Sequence, residues 1–216
     1  MKNTLNCVVK LSLMFLCANA FAQESPKTIY FGGNVGYSSL SDQTGSVNSQ
    51  LVGALGGTAQ SSQNNAMAAF RLFGGFIVNE NLAIELGYVQ TSKETLNFTG
   101  RSLGGVNYTG NLNSTFNGAD LGFVLRPSQS TGFQNIFLDL GLTSYTAKET
   151  GNISTNVSSY SPSQNEQGTG HFYGLGYDMQ MQDNYVLRAL INHYDKIGGN
   201  SGLSGNVASI GLLKKF

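Results

Sequence analysis

The sequence predicts an all-β fold: an eight-stranded antiparallel up-and-down barrel that crosses a membrane, with long loops at one end and short turns at the other. Three observations predict it. Short alternating segments recur throughout the chain with no sustained helical period. The connections between them alternate between long and short. The chain also begins like an exported protein and ends on an aromatic residue that closes an alternating segment.

At the first end, Met1 to Ala22 has a basic start at Lys2, an apolar run from Leu11 to Ala18 and the small-residue pattern Ala20-Phe21-Ala22 before Gln23. This is the grammar of a secretory signal cleaved between Ala22 and Gln23. The run is too short to span about 30 Å of hydrocarbon, and Lys10 precedes it. Cys17 follows Leu16, where a lipid-attachment site needs a small residue. Cys7 and Cys17 both lie in the removed segment, so the domain 23–216 is expected to have no thiol chemistry.

Eight segments follow. Thr28 to Tyr37 sets Ile29, Phe31, Val35 and Tyr37 on one face and Gly32 and Asn34 on the other. Ala66 to Val78 turns through Asn79-Glu80-Asn81 into Leu82 to Gln90, a tight hairpin. Asn117 to Leu125 meets Asn135 to Tyr145 across a turn with Pro127, Ser128 and Gly132. Gly170 to Met181 meets Tyr185 to Tyr194 across Gln182-Asp183-Asn184, and Asn206 to Phe216 ends the chain. The long connections are Asp42 to Asn65, Thr91 to Phe116, Thr146 to Thr169 and the shorter Asp195 to Gly205. Short periplasmic turns and longer external loops characterise membrane barrels, so both ends of the domain are expected in the periplasm.

A soluble barrel would expose Leu82, Ile84, Leu86 and Tyr88, or Ile136, Leu138, Leu140 and Leu142, to water. Lipid is their expected environment, which makes outer-membrane lipids and lipopolysaccharide the first partners. Tyr37, Tyr88, Tyr173, Tyr177 and Phe216 are expected at headgroup depth. Phe216 is also the expected signal to the barrel-assembly machinery. The Gly-, Ser- and Asn-rich loops read as mobile, and their bulky residues Leu51, Val52 and Tyr108 as contacts for a host-surface or phage ligand.

With the aliphatic residues in lipid, a side-chain period of two turns Arg71, Glu85, Asp120, Asp139, Asp178 and Arg188 inward. All but Arg71 lie at similar depth and should form one polar layer, with Arg71 placed higher. An interior this narrow is filled by side chains, so the charges must meet. Two readings follow: an ionic core that seals the barrel, or a gate in which Arg188 exchanges carboxylate partners. Acids outnumber bases, so a proton or cation is expected to accompany one carboxylate. Inward glycines, including Gly75, Gly87 and Gly176, leave room for these groups.

Other classes find little support. Twelve basic and twelve acidic residues leave no basic footprint for nucleic acid. The only histidines, His171 and His193, alternate outward, read as isolated, and lack both metal-ligand spacing and a partnered serine nucleophile. No enzyme, metal or cofactor is expected.

Gly74-Gly75-Phe76-Ile77-Val78-Asn79 followed by Glu85-Leu86-Gly87-Tyr88 resembles the second hairpin of the OmpA family, and Asp120-Leu121-Gly122-Phe123 resembles its fourth strand. The resemblance implies an inward acid at Glu85, an inward arginine at Arg188 and a second acid at Asp178. Where a family member has an inward lysine, this chain has Asp120. It further implies a small structural protein, a surface contact for host or phage, or a narrow gated channel. The family's peptidoglycan-binding domain is not expected after the barrel.

Overall fold

The computed structural model describes residues 29–127, 133, 135–199 and 202–216. The expected signal segment with Ala20, Ala22 and Gln23, both cysteines, and Ser128 and Gly132 of the predicted turn lie outside these residues.

The wall of the barrel consists of eight strands: β1 (Ile29–Leu40), β3 (Met67–Asn79), β4 (Leu82–Thr91), β6 (Asn107–Leu125), β7 (Ile136–Thr155), β9 (Ser163–Gln180), β10 (Tyr185–Asp195) and β11 (Ser204–Lys215). Each pairs antiparallel with its neighbours in chain order, and β1 pairs with β11 to close the ring. Closure satisfies every wall strand on both edges, which a hydrocarbon environment requires. At the seam the Phe216 amide donates to the Ile29 carbonyl at 2.8 Å, and the Phe216 ring packs edge-on to Phe31. The first strand therefore starts, and the last strand finishes, at the end of the barrel that carries the short turns.

Those turns have local causes. Asn79 Oδ1 accepts from the Asn81 amide at 2.9 Å, an Asx turn that reverses β3 into β4. Between β9 and β10, Asp183 and Asn184 both take positive φ, the conformation these two residue types tolerate best among those with a Cβ.

On the outer surface, Leu86, Leu142, Leu175, Ile191, Ile210 and Phe31 are exposed, each separated from the next outward residue by one that points into the barrel. Outward residues are polar at Gln90, Asn117 and Thr146, which face one another across adjoining strands. The apolar run Leu82 to Tyr88 covers about 20 Å along the strand at ~3.4 Å per residue, close to the height of the apolar band of an outer-membrane barrel. Among the described residues, no helix is long and apolar enough to cross a membrane.

The long connections differ from expectation. The first contains α1 (Thr44–Leu55) and β2 (Thr58–Asn64), and the second contains β5 (Glu94–Arg101). β6, β7 and β9 continue well past their predicted limits, and the two-residue β8 (Ser159–Tyr160) folds back on β7. β2 pairs with β5, and β5 with the upper part of β6, so the wall rises into a projecting sheet. β4 and β5 run along the same edge of β6, but Gln90 faces Asn117 whereas Glu94 faces Ser114. Four steps on one strand answer three on the other, so one residue is extra near Ser92-Lys93, a bulge that flips the inward set from odd to even numbers.

This sheet has its own core. Leu96, Phe98 and Tyr108 are buried, and Val47 and Leu51 of α1 pack against them with Leu112 and Ile153. Tyr108, read from sequence as a partner contact, is thus an internal residue whose hydroxyl donates to the Thr58 carbonyl at 3.0 Å. Leu51 likewise faces inward, while Val52 stays exposed. Asn97, Asn113 and Asn152 occupy strands rather than turns.

Candidate functional site: a buried charge layer

Arg188 and Asp178 are direct partners across β9 and β10, both pointing inward. The Arg188 guanidinium grips Asp178 through Nε to Oδ1 at 2.8 Å and Nη2 to Oδ2 at 3.0 Å, and its Nη1 reaches Glu85 Oε1 at 2.5 Å. Glu85 also accepts from Arg71 Nη1 at 2.9 Å and from the Tyr30 hydroxyl at 2.7 Å. Arg71 in turn holds Asp120 in a fork, Nε to Oδ2 at 3.0 Å and Nη2 to Oδ1 at 2.6 Å. Glu85 is therefore the bridge between two arginine–aspartate pairs.

Arg71 was placed above this layer, and its backbone is indeed higher: it pairs with Val89, four residues above Glu85 on β4. Its side chain closes the gap by running down over Phe73, with Cζ 4.9 Å from the ring centroid. Gly87 makes the space. A Cβ there would come within 2.9 Å of both Asp120 carboxylate oxygens and Arg71 Nε.

Asp139 stands slightly apart. Asn192 Nδ2 donates to its Oδ2 at 2.9 Å across Gly174, which lies between them in the sheet, and Oδ1 accepts no hydrogen bond from the described residues. Arg126, absent from the sequence reading, extends the layer toward the short-turn end by donating to Asp178 Oδ2 at 2.6 Å. It continues the inward parity of Asp120, Gly122 and Val124, so extending the alternation by one step past β6 finds it. Tyr30 and Asn192 were also missed; both fall on inward parity but carry no formal charge to draw notice.

The paired side chains of Arg71, Glu85, Asp120, Asp178 and Arg188 are between 0 and 6% exposed. Two apolar layers shut them in. Toward the short-turn end lie Tyr30, Phe73, Phe137, Val186 and Leu213; toward the other end lie Met67, Phe116, Tyr145, Phe172 and Tyr194. Arg188 Cζ sits 4.6 Å from the Phe137 ring centroid and 5.3 Å from that of Phe73, so aromatic faces replace water around the cation. Bidentate pairing satisfies these desolvated charges, as burial demands.

The two histidines are not isolated. Both converge on Asp195 from the outer surface, His171 Nε2 at 3.4 Å and His193 Nε2 at 3.3 Å, because His171 pairs with Asp195 across β9 and β10. Among the described residues no group of three or more His, Cys, Asp or Glu is arranged to hold a metal.

An outward apolar band, a closed ring of strands and an ion-paired interior define a membrane-spanning β-barrel. The model of the outer membrane protein beta-barrel domain matches residues 8–216, and the chain belongs to this family. Its place is the bacterial outer membrane. Among solved structures, the attachment invasion locus protein Ail of Yersinia pestis, in complex with the heparin analogue sucrose octasulfate, shares the fold. It is 14% identical, with 89% of this chain and 100% of that chain covered and a TM-score of 0.50. The outer membrane protein OprG of Pseudomonas aeruginosa is 12% identical over 91% of this chain and 98% of its own, with a TM-score of 0.45. A search of curated proteins returns no match.

Proposed function

We propose that this protein is a non-enzymatic outer-membrane anchor that holds a surface-exposed sheet clear of the bilayer for contact with host cells or phage. The observation that carries this reading is the sealed lumen. A charge layer closed above and below by apolar side chains leaves the projecting sheet as the accessible chemistry. In this reading the signal 1–22 is removed, the domain 23–216 has both termini in the periplasm, and the sheet stands outside. The apolar band meets lipid and lipopolysaccharide, and Phe216 is the residue read by the assembly machinery.

The test is adhesion of bacteria with and without the protein to host cells, together with phage adsorption and retention on heparin, the ligand class seen with Ail. Gain on any surface supports contact, and no gain on all of them overturns it.

A gated pore is the second reading. It draws on Asp139, whose free oxygen offers Arg188 or Arg71 an alternative acceptor within the same layer. Ion flux through liposomes holding the refolded barrel decides between them. No flux from wild type supports the anchor; wild-type flux that changes in Arg188→Ala makes the layer a gate.

A further inference from the structure

The projecting sheet ends in apolar points that stand at one level. The β5–β6 hairpin turns through Ser102 to Val106 and presents Leu103, 86% exposed. The Leu103 amide donates to the Leu55 carbonyl at 3.2 Å, which fastens the exposed end of α1 beside this turn. Tyr108 faces Thr155 across β6 and β7, so β7 reaches its own turn at the same height. There Val157 is 88% exposed, and on β8 the exposed Tyr160 faces Ile153 just below the turn.

Charge is distributed to match. The segments 44–64, 95–116 and 150–165 contain a single charged residue, Arg101, and no acid. Glu94, Glu149 and Glu166 all lie nearer the barrel. Arg101 Nε is used internally, donating to the Gly105 carbonyl at 3.1 Å, which orients the guanidinium at the foot of the Leu103 turn.

A protein partner needs a continuous complementary patch of roughly 800 Å² on each side. Convex turns with polar residues between them do not present one. A lipid headgroup layer does accept separate aliphatic side chains to a depth of about 5–10 Å, and tyrosine prefers its polar boundary. A guanidinium fits a lipid phosphate, and a surface free of acids meets no repulsion from an anionic leaflet. Ten residues of β6 separate Asn117, at the edge of the apolar band, from Asn107, a path of about 34 Å along the strand at ~3.4 Å per residue. The points therefore face away from the membrane that holds the barrel.

We propose that these tips form a docking surface for an opposing phospholipid membrane, with Leu103, Leu55, Val157 and Tyr160 entering its headgroup layer and Arg101 meeting a phosphate. The proposal rests on the surface-contact reading and names its partner.

The experiment uses the barrel in lipid nanodiscs, floated with liposomes of phosphatidylcholine alone or with a minority of phosphatidylglycerol. Wild type is expected to float with both. The exposed double substitution Leu103→Asp/Val157→Asp is expected to weaken binding at least about tenfold while the barrel keeps its folded migration on gels. Arg101→Gln should weaken binding to both liposomes, and more strongly to the anionic ones. Wild type that stays unbound, or a double variant that floats equally well, overturns the proposal. The double variant is also tested in the cell-adhesion assay. Adhesion that survives it refutes a lipid contact while sparing surface contact, and a wild type that adheres to nothing removes both.

Discussion

Removing Glu85 should expose how the interior is held, because this one carboxylate joins both halves of the charge layer. It accepts from Arg188 at 2.5 Å, from Arg71 at 2.9 Å and from Tyr30 at 2.7 Å. Hydrogen bonds to charged groups contribute ~1.5–3 kcal/mol each, so simple addition would give about 4.5–9 kcal/mol. Addition overstates the loss, since each arginine keeps a fork of its own: Arg188 on Asp178 and Arg71 on Asp120. The expected cost of Glu85→Ala is therefore that of removing one partner from a buried pair, about 3–5 kcal/mol. The assay is urea unfolding of the micelle-bound barrel, followed by β-sheet circular dichroism, because the chain has no tryptophan. With a slope of ~3 kcal/mol/M, the midpoint should fall by about 1–1.7 M. Glu85→Gln, which preserves shape, should fall between wild type and alanine. A shift under about 0.3 M for Glu85→Ala, the size an exposed ion pair produces, would refute the view that the layer is a cooperative core.

Two further outcomes are expected. A Cβ added at Gly176 would collide with the Phe137 ring, against which Arg188 also stacks; Gly176→Ala should cost about 1–3 kcal/mol in the same titration, and an unchanged midpoint would show that the ring can yield. Burial raises the pKa of Glu94, the hydrogen bond from Gln63 offsets this in part, and Glu149 raises it further; this acid lies on the projecting sheet, outside the membrane. The folded sheet thus binds the Glu94 proton more tightly than the unfolded chain, and its stability falls as pH rises through the folded value. Glu94→Gln should stabilise β2 and β5 at neutral pH and have no such effect in acid. Amide hydrogen exchange on both strands checks this, and a difference independent of pH would sink it.

Much of the barrel was legible because its physics is local and periodic. Leu82, Ile84, Leu86 and Tyr88 alternate without a break, and a period of two leaves Glu85 no direction but inward. The projecting sheet was not legible as sheet, although Leu96 and Phe98, and Tyr108 and Leu112, keep the same alternation. Glycine and asparagine between them looked like turn formers, and the bulge near Ser92-Lys93 breaks the parity that would have carried the reading upward from β4.

By itself the sequence determined the class of fold, the strand order, and which side of each strand meets lipid, since alternation and turn chemistry are properties of neighbouring residues. Only the tertiary structure decided who meets whom. That Arg71 reaches down to Glu85, that Arg126 joins Asp178, that two histidines share Asp195, and that the end of α1 is fastened beside the Leu103 turn all depend on register between strands and on side-chain reach across a closed ring. These distances are set by closure of the whole sheet, and no stretch of the chain contains them.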